Sequence, residues 1–287
     1  MNIDIIINAI IYGILIGSVY SLVAIGLSLI WGVMDIVNFA QGDYMMLGAF
    51  ITYWLLVLLN IDPLVSIIIS FGIIFLLGVF TQRIIINRIL DAPMFSQIIT
   101  TFSILMIIRY GAEAGFGPFT RWVTTSYSGM NFSIGSVSLP LTQVITFIIS
   151  ILILIILHVF LTRTYYGIAL RAVSQNREGA ILIGINVKRM YELAFGIGVG
   201  ISAIGGSLIS TFIPIYPEMG GYYVLLAFIA VVLGGFGNVY GSYISGIILG
   251  VIQTLSAVFI LPTLKDVVAF IVFIILILIK PSGLFGR

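Results

Sequence analysis

The chain has 287 residues, of which 61% are hydrophobic and only 8% are charged, with a formal net charge of +2. Soluble domains carry about 25% charged residues, so this composition excludes an ordinary soluble protein, and the few scattered basic residues exclude a nucleic-acid surface. The chain has no cysteine and a single histidine, which excludes disulfides and a multi-histidine metal site, so no metal is expected.

Nine apolar segments follow one another along the chain, and most are long enough to cross a hydrocarbon core of about 30 Å. They cover 8–31, 36–59, 63–82, 94–115, 141–161, 190–214, 222–237, 240–261 and 266–280. They do not alternate as the strands of a β-barrel would. The sequence predicts an all-α fold, a single polytopic helical bundle over 1–287 with eight to nine spans. Broken or re-entrant segments stay open as an alternative at 32–43 and 222–237.

Basic residues set the sidedness, because Lys and Arg near span ends remain in the cytoplasm. Three connections are basic: Arg83 with Arg88, the loop 162–189, and Lys280 with Arg287. An even number of crossings separates any two of them if 222–237 crosses the membrane and the chain turns at 234–238. This count places the N-terminus outside and the C-terminus inside.

Polar side chains interrupt the apolar pattern at 35–43, which reads DIVNFAQGD. Irregular polar backbone at membrane depth persists only where it is buried in protein or lines a wet cavity. Two interpretations stay open: a broken helix that lines a pathway through Asn38, Gln41 and Asp43, and an ordinary cytoplasmic turn.

Two charged residues, Arg109 and Glu113, lie four positions apart near the outer end of the span 94–115. This spacing places them on one helix face, where they are expected to pair, although Arg before Glu is the weaker order. Charges within a span are functional candidates by default. Both are therefore pathway candidates, although an interfacial salt bridge with a structural role is the favoured interpretation.

Residues 28–47 and 207–226 are weakly similar, sharing Ser-Leu-Ile at the start and the pairs Gly42/Gly221 and Tyr44/Tyr223. The two segments run in opposite senses in the predicted topology, which favours an inverted repeat of the kind found in transporters. Chance similarity between apolar sequences is the alternative. Small residues at every fourth position in 13–21, 198–210 and 242–250 predict close helix packing.

The loop 162–189 holds five of the twelve basic residues of the chain. Its centre, 171–185, predicts one short amphipathic helix that begins after Ser174 as a partial capping signal and ends or bends at Gly184. Such a helix either lies in the lipid interface or docks into a groove on a cytoplasmic partner.

Three stretches resemble a known family. Glu178-Gly179-Ala180, followed after three residues by Gly184, resembles the EAA-xxx-G loop through which permeases of ABC importers meet their ATPases. The segment 167–189 is similar to branched-chain amino acid permeases of the LivH/LivM type. Residues 17–50 and 233–246 resemble the LivH member. The resemblance implies a permease subunit in a bacterial or archaeal inner membrane.

The family implies partners and roles. The partners are a related permease subunit, two ABC ATPases and an extracytoplasmic solute-binding protein. The ATPases bind ATP and Mg²⁺, so no cofactor is expected in this chain. The implied solute is a branched-chain amino acid or a related small polar solute such as urea or an amide. The residues expected to couple to the ATPases are Arg171, Gln175, Arg177, Glu178, Gly179, Ala180 and Gly184.

Two other classes of function remain to be weighed. An ion-coupled secondary transporter or channel is the alternative, based on the inverted similarity and on Arg109 with Glu113; it would transport alone, without ATP. A membrane-embedded enzyme is the least favoured, because no nucleophile–base–acid constellation appears in the sequence.

Overall fold

The computed structural model describes residues 3–134 and 137–286 and is almost entirely helical. The helices are α1 Ile3–Met34, α2 Gln41–Leu59, α3 Pro63–Ile84, α4 Met94–Phe116, α5 Leu141–Arg163, α6 Tyr165–Gln175, α7 Arg177–Leu182, α8 Val187–Ile209, α9 Met219–Gly234, α10 Val239–Phe259 and α11 Lys265–Ile279. Short 3₁₀ turns cover Ile86–Arg88 and Pro262–Leu264, and an antiparallel hairpin joins β1 Asn131–Ile134 to β2 Val137–Pro140.

Eight helices of the described chain are long and apolar enough to cross a membrane, namely α1–α5, α8, α10 and α11 with the turn before it. The shorter α9 is also apolar and has 16 residues. The predicted all-α transmembrane bundle is therefore confirmed, in a multi-pass protein of the cytoplasmic membrane. The loop 162–189 differs from the prediction, since it holds two helices, α6 and α7.

Contacts between the helix ends define an inner face, which carries the basic loop. Ser174 Oγ in α6 donates a hydrogen bond to the carbonyl of Gly32 at the end of α1. The amide of Leu284 donates to the carbonyl of Leu233 at 2.6 Å. The end of α1, the end of α9 and the tail after α11 therefore lie on the side of the basic loop, as predicted. Arg287, which was expected there too, lies outside the described residues.

An outer face lies at the opposite ends of the helices. The hydroxyl of Tyr12 in α1 donates to the carbonyl of Ser138 at 2.5 Å, and the hydroxyl of Tyr127 donates to Asp62 at 3.0 Å. Burial, and then the Asp62 carboxylate, raise the pKa of Tyr127 to about 12, so this hydroxyl stays protonated at neutral pH. The start of α1 therefore lies opposite the basic loop, in agreement with the predicted topology.

The chain from Ile215 to Gly237 runs from the outer face to the inner face. The segment 210–218 before α9 reaches the outer face, where Ile215 and Arg121 exchange backbone hydrogen bonds of 2.8 and 2.9 Å. Helix α9 ends on the inner face. The turn that follows contains two glycines with positive φ angles, Gly235 at 87° and Gly237 at 74°. The turn at 234–238 is confirmed, while α9, with 16 residues, covers only part of the distance between the two faces.

Helices α2 and α9 both begin inside the bundle rather than at its surface. The first residue of α2, Gln41, contacts Gly198, which lies near the middle of α8. Gly42 packs against Gly220 so closely that a Cβ on Gly42 would collide with the Gly220 carbonyl oxygen. Two helices that are each preceded by non-helical backbone, 35–40 and 210–218, thus start next to each other.

The similarity between 28–47 and 207–226 corresponds to an inverted arrangement of helices. In each segment a long helix is followed by non-helical backbone and a second helix. The first helices, α1 and α8, run antiparallel, since Ile30 lies next to Gly198 whereas Leu22 lies next to Gly205. Each first helix also packs on the third helix of the other unit, α1 on α10 and α8 on α3.

The predicted close packing of small residues is confirmed at the interface of α1 and α10. A Cβ on Gly17 would lie 2.8 Å from the carbonyl oxygen of Gly246, and one on Gly250 would lie 2.6 Å from the backbone nitrogen of Gly17. Ser21 Oγ donates to the carbonyl of Tyr243 at 2.6 Å. No larger side chain fits between these backbones, which gives the bundle a rigid centre.

Candidate functional site

Non-helical backbone at 35–40 returns from the inner face into the bundle, where Asn38 and the following Gln41 are fully buried, while Asp35 is exposed. Asn38 Oδ1 accepts from the amide of Ala40, and Asn38 Nδ2 donates to Gln41 Oε1 at 2.9 Å. Gln41 Nε2 donates to the carbonyl of Gly198 at 3.0 Å and to Ser202 Oγ at 2.6 Å. These bonds satisfy polar groups that lipid cannot. The predicted break in the helix is confirmed, and the bonds to α8 exclude an ordinary cytoplasmic turn.

A buried ion pair involves Asp43, two residues after Gln41. Asp43 is fully buried, and Arg109 of α4 donates to both of its oxygens, from Nε at 3.0 Å and from Nη2 at 3.2 Å. The predicted pairing of Arg109 with Glu113 is wrong. The bidentate geometry offered by Asp43 is stronger than an Arg-before-Glu contact along one helix, because both carboxylate oxygens are used.

The start of α9 touches this ion pair. A Cβ placed on Gly221 would lie 3.1 Å from Nη2 of Arg109, so a larger residue there would require the guanidinium to shift. Helices α2, α4 and α9 therefore converge on one polar cluster, formed by Asn38, Gln41, Asp43, Arg109 and Ser202. In this conformation Asn38, Gln41 and Asp43 are closed off from solvent. Their role in lining a pathway stays a prediction.

Sequence reasoning missed Ser202 within this cluster and two further buried polar residues of the bundle, Thr81 and Gln82. Ser202 was assigned only to helix packing, although it accepts the bond from Gln41. Thr81 Oγ1 accepts a hydrogen bond of 2.9 Å from the hydroxyl of Tyr44. Gln82 is fully buried, and neither polar atom of its amide finds a hydrogen-bond partner among residues 3–134 and 137–286. A glutamine at the end of an apolar span was the available signal.

The second candidate site is the inner segment formed by α6 and α7. The structure corrects the prediction of one helix that begins after Ser174. Asn176 interrupts the segment in an extended conformation, and its Oδ1 accepts from the amide of Gly179 at 2.8 Å, so Asn176 is the N-cap of α7. Ser174 lies within α6 instead. Asparagine is among the best N-cap residues, so the break follows from a local preference.

Gly184 ends α7, as predicted. Its φ of 84° lies in the left-handed region. The amide of Ile185 donates to the carbonyl of Ala180, and the amide of Gly184 donates to the carbonyl of Ile181, both at 3.0 Å. This pair of bonds is the Schellman motif, in which glycine adopts positive φ at no steric cost.

The two short helices separate a buried side from an exposed side. Ala169, Leu170 and Val173 of α6 and Ala180 of α7 are buried against the bundle. An apolar tip projects away from it, formed by Ile181, Leu182 and Ile183, which are 55%, 87% and 74% exposed. Of the other predicted coupling residues, Gly179 is half-buried and four are exposed, namely Arg171, Gln175, Arg177 and Glu178.

Arg177 connects α7 to the loop between α3 and α4. Its Nη1 donates to Asp91 Oδ1 at 3.0 Å, and its guanidinium carbon lies 6.0 Å from the centre of the Tyr191 ring in α8. The hydrogen bond to Asp91 raises the pKa of Arg177 above its ordinary value, so the charge persists at any physiological pH. The segment is thus held at two points besides its buried side.

Comparisons with known proteins agree with this geometry. The profile of a family described as "Branched-chain amino acid transport system / permease component" matches residues 9–277. The chain is 28% identical to the high-affinity branched-chain amino acid transport system permease protein LivH of Salmonella typhimurium, over 96% of this chain and 94% of that protein.

Two further relatives are similar to the same extent. The high-affinity branched-chain amino acid permease BraD of Pseudomonas aeruginosa is 28% identical over 96% of this chain and 94% of its own length. A probable branched-chain amino acid permease LivH of Methanocaldococcus jannaschii is 28% identical over 92% of this chain and 88% of its own. No solved structure matches the chain.

Proposed function

Because this chain belongs to the family of branched-chain amino acid transport permeases, we propose that it imports branched-chain amino acids or related small polar solutes as one permease subunit of an ATP-driven ABC importer. The relatives named above are permeases for branched-chain amino acids, which supports the solute class. A second, related permease, two cytoplasmic ATPases and an extracytoplasmic binding protein complete the complex.

One observation carries the coupling part of the proposal: the apolar tip Ile181–Ile183 is exposed on the cytoplasmic face of a rigidly held segment. Three neighbouring apolar side chains in water are unfavourable unless a partner covers them. A short helix that inserts such side chains into a groove is a common mode of protein recognition. The ATPases are the partners that this position fits.

The packing of α6 gives the motion of an ATPase a path into the membrane. Its buried side contacts α1, α5 and α8, and Ser174 bonds directly to the end of α1. When the ATPases close on ATP, α7 moves with them, and α6 transmits the displacement to α1 and α8. ATP and Mg²⁺ act in the ATPases, and this chain contributes no catalytic group to hydrolysis.

The polar cluster is the part of the bundle most suited to respond to this displacement of α1 and α8. Asn38, Gln41 and Asp43 hold the start of α2 against α8 and α4, and the start of α9 lies beside them. A displacement of α8 relative to α2 breaks the bonds of Gln41 to Gly198 and Ser202. We infer that these side chains then face the pathway, which lies beside the starts of the two broken helices.

The ion-coupled alternative has lost one of its two supports. It was based in part on Arg109 and Glu113 as a pair, whereas Arg109 is bound to Asp43. The inverted arrangement of helices that remains is compatible with either class, and membership of the permease family favours the importer.

Reconstitution tests the proposal. The complex of this chain with the second permease and the two ATPases is placed in nanodiscs. It is expected to hydrolyse ATP faster when a leucine-loaded binding protein is added. An ATPase rate that the binding protein leaves unchanged would refute the importer assignment. Uphill solute accumulation by this chain alone would establish the ion-coupled alternative.

Variants of the apolar tip test the coupling role. Leu182→Glu is expected to weaken ATPase co-purification by roughly 30-fold, the loss of one interface hot spot of about 2 kcal/mol. Phe119→Glu makes the same kind of change at a 73% exposed residue of the outer loop and should leave co-purification intact. Normal ATPase binding by Leu182→Glu would remove the tip from the interface.

Gly184 supplies a second matched pair of variants. Gly184→Glu introduces a charged side chain where φ is 84° and should abolish ATPase association. Gly184→Asn should preserve much of it, because asparagine tolerates the left-handed conformation at a helix end. Equal co-purification by both variants would show that Gly184 does not act in docking.

A further inference from the structure

We propose that the exposed side of α4, along its outer half, is the surface on which the second permease subunit docks through its membrane helices. This inference rests on the proposed function, since it takes the second permease as given. It identifies which of the exposed helices of the bundle faces protein instead of lipid.

The first argument compares exposure with polarity. Three membrane helices are the least buried by the described chain: 17% of the most apolar part is buried for α4, 22% for α5 and 6% for the turn and helix that include α11. Their mean hydropathies are 1.3, 3.1 and 2.5. Helices α5 and α11 suit contact with lipid. Helix α4 is as exposed as they are, but it is the least apolar of the eight spans and thus poorly suited to a lipid environment.

Polar groups on α4 without a partner in the described chain give the second argument. Among the described contacts, Nη1 of Arg109 has no hydrogen-bond partner, although the side chain is 22% exposed. One turn further on, the carboxylate of Glu113 has no partner among the described residues, while its backbone carbonyl bonds to Gly117. Lipid chains supply neither an acceptor nor a donor. The docking partner therefore carries an acceptor opposite Arg109 and a donor or cation opposite Glu113.

Open glycines supply the third argument. Gly111 and Gly115 lie four residues apart on α4, and a Cβ added at either would meet nothing within 4 Å. Within this chain the comparable pair Gly13 and Gly17 is closed by the backbone of α10. Small residues at this spacing allow a neighbouring helix to approach closely in lipid.

A depression beside the glycines completes the surface. It has a volume of 550 Å³ and lies between Trp54, Leu55 and Leu58 of α2 and Gly115 and Phe116 of α4. Apolar side chains of a partner helix fit there, while Glu113 lies at the opposite edge of the exposed side of α4. The surface is broad enough for more than one helix of a second subunit.

Cross-linking in the assembled importer tests the inference. The chain has no cysteine, so single cysteines can carry a thiol-reactive benzophenone. Ile107→Cys places the benzophenone on α4. The matched controls are Ile155→Cys on α5 and Ile274→Cys on α11. The three native isoleucines are similarly exposed, at 68%, 56% and 54% for positions 107, 155 and 274. Irradiation at position 107 should attach a membrane-helix peptide of the second permease, identified by mass spectrometry, whereas positions 155 and 274 should label lipid.

A second experiment measures assembly directly. Gly111→Leu adds a side chain on the proposed surface, and Gly72→Leu adds the same one on α3, where a Cβ also meets nothing within 4 Å. Gly111→Leu should reduce co-purification of the second permease about tenfold, which corresponds to about 1.4 kcal/mol, and Gly72→Leu should not. Purified without their partners, the Gly111→Leu and Gly72→Leu variants should unfold at the same temperature.

The outcomes separate this inference from the proposed function. Lipid adducts alone at position 107, or permease adducts at 155 or 274, overturn the docking surface even if the binding protein still stimulates ATP hydrolysis. Undiminished assembly of Gly111→Leu also overturns it. If no position captures a permease and the binding protein stimulates no hydrolysis, the proposed function falls as well.

Discussion

Asp43 and Arg109, 66 residues apart in the chain, form a bidentate ion pair in which the carboxylate is fully buried. This pair connects the start of α2 to the outer half of α4 inside the bundle. Removal of one partner leaves the other charge unpaired, which is more costly than removal of both.

A double-mutant cycle measures this connection. Asp43→Asn and Arg109→Gln should each destabilise the purified protein by roughly 3 kcal/mol, the usual cost of an uncompensated buried charge. The double variant should lose clearly less than the sum of the two. Thermal unfolding in one detergent gives the values. Glu113→Gln serves as the control and should unfold like the unmodified chain, since the Glu113 carboxylate has no partner in the part of the chain that the structure describes. Additive losses would show that the two charges are not coupled.

A pair of glycine variants tests the contact between the two broken helices. Gly42→Ala places a methyl group against the carbonyl of Gly220 and should destabilise the bundle by about 1–3 kcal/mol, as overpacking does. Gly72→Ala has open space and should instead stabilise α3 by up to about 1 kcal/mol, because glycine is a poor helix former. Opposite signs in denaturant-induced unfolding are expected. Stabilisation by both variants would contradict the close approach of α2 and α9.

The sequence was sufficient wherever a signal was local. The turn at 234–238 followed from its glycines, and two of them indeed have positive φ. Gly184 was expected to end a helix and does so. The break at 35–43 followed from its polar residues, and the structure resolves the two interpretations of that break, since it buries Asn38 and Gln41 against α8.

Contacts between residues that are far apart in the chain could not be predicted from the sequence in the same way. Arg109 was matched with Glu113, because spacing along one helix is visible in a sequence while the distance to Asp43 is not. Ser174 was expected to begin a helix, whereas Asn176 is the N-cap of α7, although both residue types are good caps. The choice depends on whether α6 continues through Ser174, and it does so because Leu170 and Val173 are buried against the bundle.

The exposed ion pair of Arg177 and Asp91 should contribute less to the stability of the protein than the buried pair of Asp43 and Arg109. Both side chains are largely exposed, at 49% and 81%, so Asp91→Asn should change the unfolding free energy by less than about 1 kcal/mol. It should nevertheless lower the stimulation of ATP hydrolysis by the binding protein, because α7 loses one of its attachments to the bundle. Assays of stability and ATPase activity on the same preparation separate the two effects. Unchanged stimulation would show that this attachment is not used in coupling.

The capping of α7 gives the most local prediction. Asn176→Ala removes the acceptor for the amide of Gly179 and should destabilise this six-residue helix by about 1 kcal/mol. Asn176→Asp should retain the cap, and Ser174→Ala should leave α7 unchanged, because Ser174 bonds to Gly32 instead. Hydrogen–deuterium exchange of the peptide covering 177–184 reports the difference: faster exchange is expected only in Asn176→Ala. If Ser174→Ala alone accelerated exchange, the cap inferred from the sequence would be correct. Since α7 presents the apolar tip, the Asn176→Ala variant should also bind the ATPases more weakly, in proportion to the fraction of molecules in which α7 is unfolded.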